Sequence, residues 1–142
     1  MPKNPKFSGE SPLTSKQPRF ESTTGKTGRP VWKIGQADFG GPWCPAKMQK
    51  DILLEIIRRL KDFERATWLD IERGGSHPIP VNRIIGDAQR RLQALKLDDT
   101  NDLFSLRLGG NERLWGLRSN DVFSVLWWDP DHKICPAPKK HT

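Results

Sequence analysis

The chain has 142 residues, enough for one domain whose core needs no disulfide bonds, and its 24 basic and 17 acidic residues give a net charge of +7. No apolar run approaches the roughly 18 residues of a membrane-spanning helix, and the N-terminus lacks the apolar stretch of a secretory signal, which disfavours membrane and secreted classes. We therefore expect a cytoplasmic protein whose positive charge favours an anionic partner such as nucleic acid.

Residues 1–30 are rich in Lys, Pro, Ser, Thr and Gly, and they contain too little apolar surface to offset the entropy of ordering. We expect a disordered basic tail here, followed by a single folded domain over residues 31–142. The basic residues of the tail could serve solubility, or they could form an arm that touches RNA or a partner: Lys3, Lys6, Lys16, Arg19, Lys26 and Arg29.

Residues 31–50 are less polar, but their glycines and prolines forbid a long helix. This predicts an irregular lead-in to the domain that is pinned across the core by Trp32, Phe39 and Trp43.

Two cysteines, Cys44 and Cys135, are far apart in the sequence. In a reducing compartment we expect them to be free thiols rather than a disulfide.

Two helices are predicted from the spacing of apolar residues. The first runs from Asp51 to about Glu72, because its inward-facing residues recur every three or four positions: Leu53, Ile56, Ile57, Leu60, Phe63, Thr67 and Trp68. A glycine pair ends it, and the prolines after His77 require an extended segment, in which His77 is expected to be a loop residue. The second helix covers about residues 83–95.

After residue 100 the apolar pattern changes from helical to alternating, which predicts strands. The strands are expected near residues 102–108, 113–118 and 122–128, with a glycine hairpin loop between the first two and a short last strand at 132–135. Two N-terminal helices followed by a three- to four-stranded antiparallel sheet define the α+β class.

This order of elements resembles the RelE/ParE toxin superfamily. The strand sequences that carry the resemblance are Asp102–Leu108, a glycine turn, Arg113–Leu117 and Asp121–Leu126, with His132 and Lys133 at the late position of the pattern. The resemblance covers about residues 51–136. It implies a RelE-like fold and a toxin held by a protein antitoxin. It also implies endoribonuclease cleavage of messenger RNA, with or without the ribosome, that needs neither metal nor cofactor.

Candidate site residues follow from the same resemblance. Arg107 takes the place of a strand lysine or arginine that holds the scissile phosphate, and Arg113 takes the place of the arginine after the glycine loop. His132 and Lys133 stand near the acid/base position, and imidazole suits that role because it titrates near neutrality. Additional RNA contacts are predicted at basic residues outside this group: Arg83, Arg90, Arg91 and Arg118.

Other interpretations of these residues remain open. A ParE-like toxin would bind a protein target such as gyrase and cut nothing, and a basic binding module with the same fold would have no activity. The arginines could be solvated strand residues, and His132 could lie incidentally in a turn capped by aspartate. A metal site formed by Asp129, Asp131, His132 and Cys135 is disfavoured because no paired ligand motif accompanies it.

Overall fold

The computed structural model describes residues 27–136 and contains one five-stranded sheet. Its strands are Val31–Lys33 (β1), His77–Pro80 (β2), Asp102–Gly109 (β3), Glu112–Ser119 (β4) and Val122–Asp129 (β5). The helices in this part of the chain are Lys50–Phe63 (α1), Trp68–Arg73 (α2) and Gly86–Ala94 (α3). Short 3-10 turns lie at Pro45–Lys47 and Val81–Arg83.

The sheet is mixed, with strand order β1-β5-β4-β3-β2. The pairs β2–β3, β3–β4 and β4–β5 are antiparallel, whereas β1 runs parallel to β5. Each face of the sheet carries its own apolar core. One core packs against α1 and α2 and includes Trp68, Phe104 and Phe123, and we call this side the α1 face. The other core packs against α3 and includes Leu92 and Trp115, and we call it the α3 face.

The predicted α+β class is correct, but the predicted three- to four-stranded antiparallel sheet is wrong. The sheet gains β1, which lies inside the segment expected to be irregular, and β2, which contains two prolines. An edge strand tolerates proline because one side of it needs no ladder hydrogen bonds, and β2 is such an edge. The short strand expected at residues 132–135 is absent from the described chain, because those residues form irregular backbone and a bend after the turn that ends β5.

The expected pair of N-terminal helices is also replaced by three helices within residues 27–136, because the first predicted helix is two. Helix α1 ends at Phe63, and Thr67 caps α2. The Thr67 hydroxyl accepts from the Asp70 backbone N–H, and the Asp70 carboxylate accepts from the Thr67 backbone N–H, which forms a capping box. Because a cap residue has extended backbone, the helix cannot continue through Thr67.

Residues before the first strand also contact the domain. The Gly28 carbonyl accepts from the backbone N–H of Trp68, and Pro30 is buried. The rest of the predicted basic tail, residues 1–26, lies outside the described residues, as do residues 137–142. Both cysteines are free thiols. Between residues 27 and 136 we find no helix with the length and apolar character that crossing a membrane requires.

Candidate active site on the α3 face

Arg107 and Arg113 lie opposite each other on neighbouring strands β3 and β4. Leu106, Leu108 and Leu114 belong to the core of the α1 face. Because side chains alternate along a strand, the two arginines leave the sheet on the α3 face. Directly paired residues on adjacent strands have Cβ atoms about 5 Å apart. The side chains of Arg107 and Arg113 therefore start from neighbouring positions on the same face of the sheet.

Hydrogen bonds with the hairpin backbone orient Arg113. Its Nη1 donates to the carbonyl oxygens of Gly110 at 2.7 Å and Glu112 at 3.0 Å. Burial lowers the pKa of Arg113, and the charge of Arg107 lowers it further, against the opposing charge of Asp129. A guanidinium still carries its charge near neutral pH. The donors other than Nη1 can therefore bind an anion from a fixed position.

Arg107 is exposed, and its backbone and side chain are held by the residues before β2. The Arg107 backbone N–H donates to the Ser76 hydroxyl at 2.8 Å, and Ser76 itself is buried. The side chain lies over Gly75, where an added Cβ would stand 3.1 Å from both Cδ and Nη1 of Arg107. Gly75 also has a φ of +110°, which favours glycine. Arg107 therefore extends toward the edge of the sheet.

His132 is held over the α3 face by a turn that Asp129 organises. Asp129 is 1% exposed, and its carboxylate accepts from the backbone N–H groups of Lys133 at 2.8 Å and Ile134 at 2.9 Å. It also accepts from Trp115 Nε1 at 3.2 Å. His132 has a φ of +58°, an uncommon conformation for a residue with a side chain. Such a conformation persists only where the surroundings enforce it, and it marks functional sites more often than other positions.

The charges around His132 favour its neutral form. Burial lowers the pKa of His132 below its ordinary value. The positive charges of Arg113, Arg107 and His77 lower it further, while Asp129 opposes them. His132 lines the same groove as His77. A neutral imidazole at physiological pH can accept a proton.

His77, which we expected to be a loop residue, is part of the same site. It lies in β2 opposite Ser105, two residues before Arg107 on β3, and so on the α3 face. Its Nδ1 lies 3.1 Å from the carbonyl oxygen of Pro78. The prolines at positions 78 and 80 hide the alternation of β2 in the sequence. Only the pairing of β2 with β3 shows to which face of the sheet His77 points.

A groove of about 310 Å³ opens beside these residues, between β2 and the segment that follows β5. His77, Arg83 and His132 supply its polar groups, and Ile79, Pro80 and Pro136 supply much of its apolar lining. Its volume is at the lower end of the range for small-ligand sites. Of the predicted RNA-binding residues, Arg83 is therefore brought to the site.

The other predicted RNA-binding arginines have different surroundings. Arg91 forms a two-point ion pair with the buried Asp38. Arg118 lies on the α1 face, where its Nη1 donates to Glu72 at 2.7 Å and its guanidinium lies 4.1 Å from the ring centroid of Trp68. Arg90 is exposed and forms an ion pair with Asp87. The guanidinium groups of Arg91 and Arg118 are therefore bound to carboxylates outside the site of Arg107 and Arg113.

Lys133 and the late tryptophans are also placed differently from His132. The exposed side chain of Lys133 lines another groove, beside Trp43 and Pro130. Trp127 and Trp128 point to opposite faces of the sheet, and each is buried in one of the two cores. Neither ring is therefore available for stacking on a base.

The carboxylate oxygens of Asp129 already accept hydrogen bonds from two backbone N–H groups and one indole N–H group, so they do not form a metal site. Within residues 27–136 no three His, Cys, Asp or Glu side chains are grouped closely enough to hold a metal ion. Comparison of the chain with protein-family models, curated proteins and solved structures gave no match.

Proposed function

We propose that this protein is a RelE-type toxin that cleaves messenger RNA without a metal ion. Arg107 and Arg113 bind the scissile phosphate, and His132 is the general base. The observation that carries the proposal is the pair of arginines in register on one sheet face, close to a histidine whose neutral form is favoured. The cytoplasm supplies the substrate, and a protein antitoxin holds the toxin inactive.

The reaction is an internal transesterification of RNA. Neutral His132 accepts the proton of a ribose 2′-hydroxyl, and the 2′-oxygen attacks the adjacent phosphorus. The bond from phosphorus to the 5′-oxygen then breaks, leaving a 2′,3′-cyclic phosphate and a 5′-hydroxyl after protonation. Negative charge grows on the phosphate oxygens in the transition state, and the two guanidinium groups stabilise it.

Arg113 gives the sharpest test of this proposal. Loss of a charge-assisted contact that strengthens in the transition state should lower the cleavage rate about a hundred- to thousandfold, so we expect that loss for Arg113→Ala. Stability should fall by only about 1 kcal/mol, because the bonds lost are partly exposed hydrogen bonds. Arg113→Lys should recover activity only in part, because an ammonium cannot form the bidentate contact.

Cleavage is measured with purified protein, both on free RNA and on messenger RNA bound to ribosomes, by mapping 5′ ends. Arg58→Ala is the matched control, because it removes the same charge from an exposed position on α1, across the sheet from the site. Growth after induction in bacteria supplies a second readout. Cleavage by Arg113→Ala at the wild-type rate would remove Arg113 from the mechanism.

The same assays separate the competing functions. A wild-type protein that binds RNA but yields no cleaved ends would be a binding module. A protein that stops growth without binding or cutting RNA would fit a toxin with a protein target. A 2′-deoxy substitution at the mapped position should abolish cleavage, because the attacking hydroxyl is then missing.

A further inference from the structure

His77 and His132 face one groove from two different elements of the fold. His77 lies on the edge strand β2, and His132 lies on the turn after β5. In the sheet, the strands between β2 and β5 are β3 and β4, which carry Arg107 and Arg113. The two imidazoles therefore face one groove from opposite sides of the strands that carry the two arginines.

One ring nitrogen of His77 is already committed. The carbonyl oxygen of Pro78 can only accept a hydrogen bond, so Nδ1 of His77, 3.1 Å away, donates to it. Nε2 is then the ring atom available to a substrate. In the protonated ring this atom carries a hydrogen, which it can donate.

We propose that His77 is the general acid of the reaction and protonates the departing 5′-oxygen through Nε2. The proposal rests on the proposed function. His132 takes the proton of the 2′-hydroxyl, the oxygen–phosphorus bond forms, and the bond to the 5′-oxygen breaks with its electron pair. That oxygen receives the proton of His77. The enzyme ends with His132 protonated and His77 neutral, and exchange with solvent restores the starting state.

The surroundings of His132 support its role as the proton acceptor. Burial and the positive charges of Arg113 and Arg107 lower the pKa of His132, against the opposing charge of Asp129. A neutral imidazole can accept the proton of the 2′-hydroxyl, which leaves the role of proton donor to the other histidine of the groove.

Leaving-group chemistry provides the test. The substrate is an oligonucleotide in which the 5′-oxygen at the mapped cleavage position is replaced by sulfur. A thiolate leaves without protonation, so a variant that lacks only the general acid should cleave this substrate well. The variants are His77→Ala, His77→Gln and His132→Asn, with His141→Ala as the control histidine. Asparagine is used at residue 132 because it tolerates the left-handed backbone there.

We expect both His77 variants to cleave ordinary RNA about a hundred- to ten-thousandfold more slowly than the wild type. On the sulfur substrate they should come within about tenfold of it, whereas His132→Asn should be slow on both substrates. Equal losses on both substrates, or no loss on ordinary RNA, would overturn the role of His77 while the nuclease itself stands. A wild-type protein that cleaves neither substrate would overturn the proposed function. Because His77 is exposed, melting curves should be unchanged.

Discussion

Asp38 is a buried carboxylate that joins the lead-in to α3 and β5. Its oxygens accept from Arg91 Nε at 2.8 Å, from Arg91 Nη2 at 2.6 Å and from Trp127 Nε1 at 2.9 Å. The backbone N–H of Gly40 adds a fourth bond at 3.2 Å. Hydrogen bonding to Arg91 holds the pKa of Asp38 below its usual value although burial opposes this effect. Arg91, predicted from the sequence as an RNA contact, therefore serves the packing of α3.

We expect Asp38→Asn to destabilise the protein by about 1–3 kcal/mol at neutral pH, because it weakens the charge-assisted hydrogen bonds that the buried carboxylate accepts from Arg91. The folded pKa of Asp38 lies below the unfolded value of about 3.9. Its stabilisation is therefore complete above that pH and is lost as the pH falls through the folded pKa. Urea unfolding followed by tryptophan fluorescence should show the two proteins converging below about pH 4. A constant difference at all pH values would contradict the ion-pair explanation.

At the scale of single elements, α1 shows which of its apolar residues carry the packing. Ile56 is 3% exposed, whereas Ile57 is 53% exposed and Leu53 is 46% exposed. Of the predicted inward-facing residues in α1, Ile56, Leu60 and Phe63 do contact the core, whereas Leu53 and Ile57 do not. Ile52, which was not predicted to face inward, packs there instead. Spacing alone could not distinguish these sets, because apolar residues fill more than half of the circumference of this helix.

Two adjacent substitutions test the orientation of α1. Ile56→Ala should lower the free energy of unfolding by about 2–5 kcal/mol, because it opens a cavity in the core of the α1 face. Ile57→Ala should change it by less than about 0.5 kcal/mol, because that side chain already contacts water. The two variants share the helix, the chemistry and the helix propensity of the new residue. Similar losses from both would show that a partner or a different packing covers Ile57.

The strands differ in how far the sequence could predict them. Strands β3, β4 and β5 each have eight residues, and the alternation within β3 predicts their pairing and the face of Arg107. Strand β1 has three residues, too few for a periodic pattern, and β2 has four, two of them prolines. Both depend on pairing with residues far away in the chain. The break between α1 and α2 was readable, since Thr67 and Asp70 have the spacing of a capping box.

At the scale of the whole molecule, the candidate site is assembled from segments that are distant in sequence. The resemblance points to Arg107, Arg113 and His132, and the structure pairs the two arginines on β3 and β4 and holds His132 in the turn after β5. It places Lys133 and Arg118 elsewhere and adds His77. Neither result follows from local sequence, because each depends on which strand lies next to β3 and on how Asp129 turns the chain after β5.

The outer edge of β5 is covered by β1 and also by the part of the lead-in that follows β1. After β1 ends, the Asp38 backbone N–H donates to the Leu126 carbonyl at 3.0 Å, and the Trp128 N–H donates to the Trp43 carbonyl at 2.8 Å. Trp32 of β1 also packs against Trp68 and Phe123, with ring centroids 6.1 and 5.7 Å away. Residues expected to be irregular thus protect the edge of an apolar strand, which would otherwise favour aggregation.

Two truncations locate the start of the folded domain. A chain without residues 1–26 should keep its stability within about 0.5 kcal/mol, because their composition offers little apolar surface to bury. A chain without residues 1–34 loses β1, the Gly28 bond to Trp68 and the partly buried Trp32 ring. Truncating a fully buried aromatic residue costs about 3–5 kcal/mol, so the loss of this ring should cost somewhat less. We therefore expect this shorter chain to lose most of its stability or to aggregate through β5. Thermal and urea unfolding measure both effects, and full-length Trp32→Ala separates the ring from the strand. If removal of residues 1–26 destabilised the protein as strongly, the domain would begin within those residues.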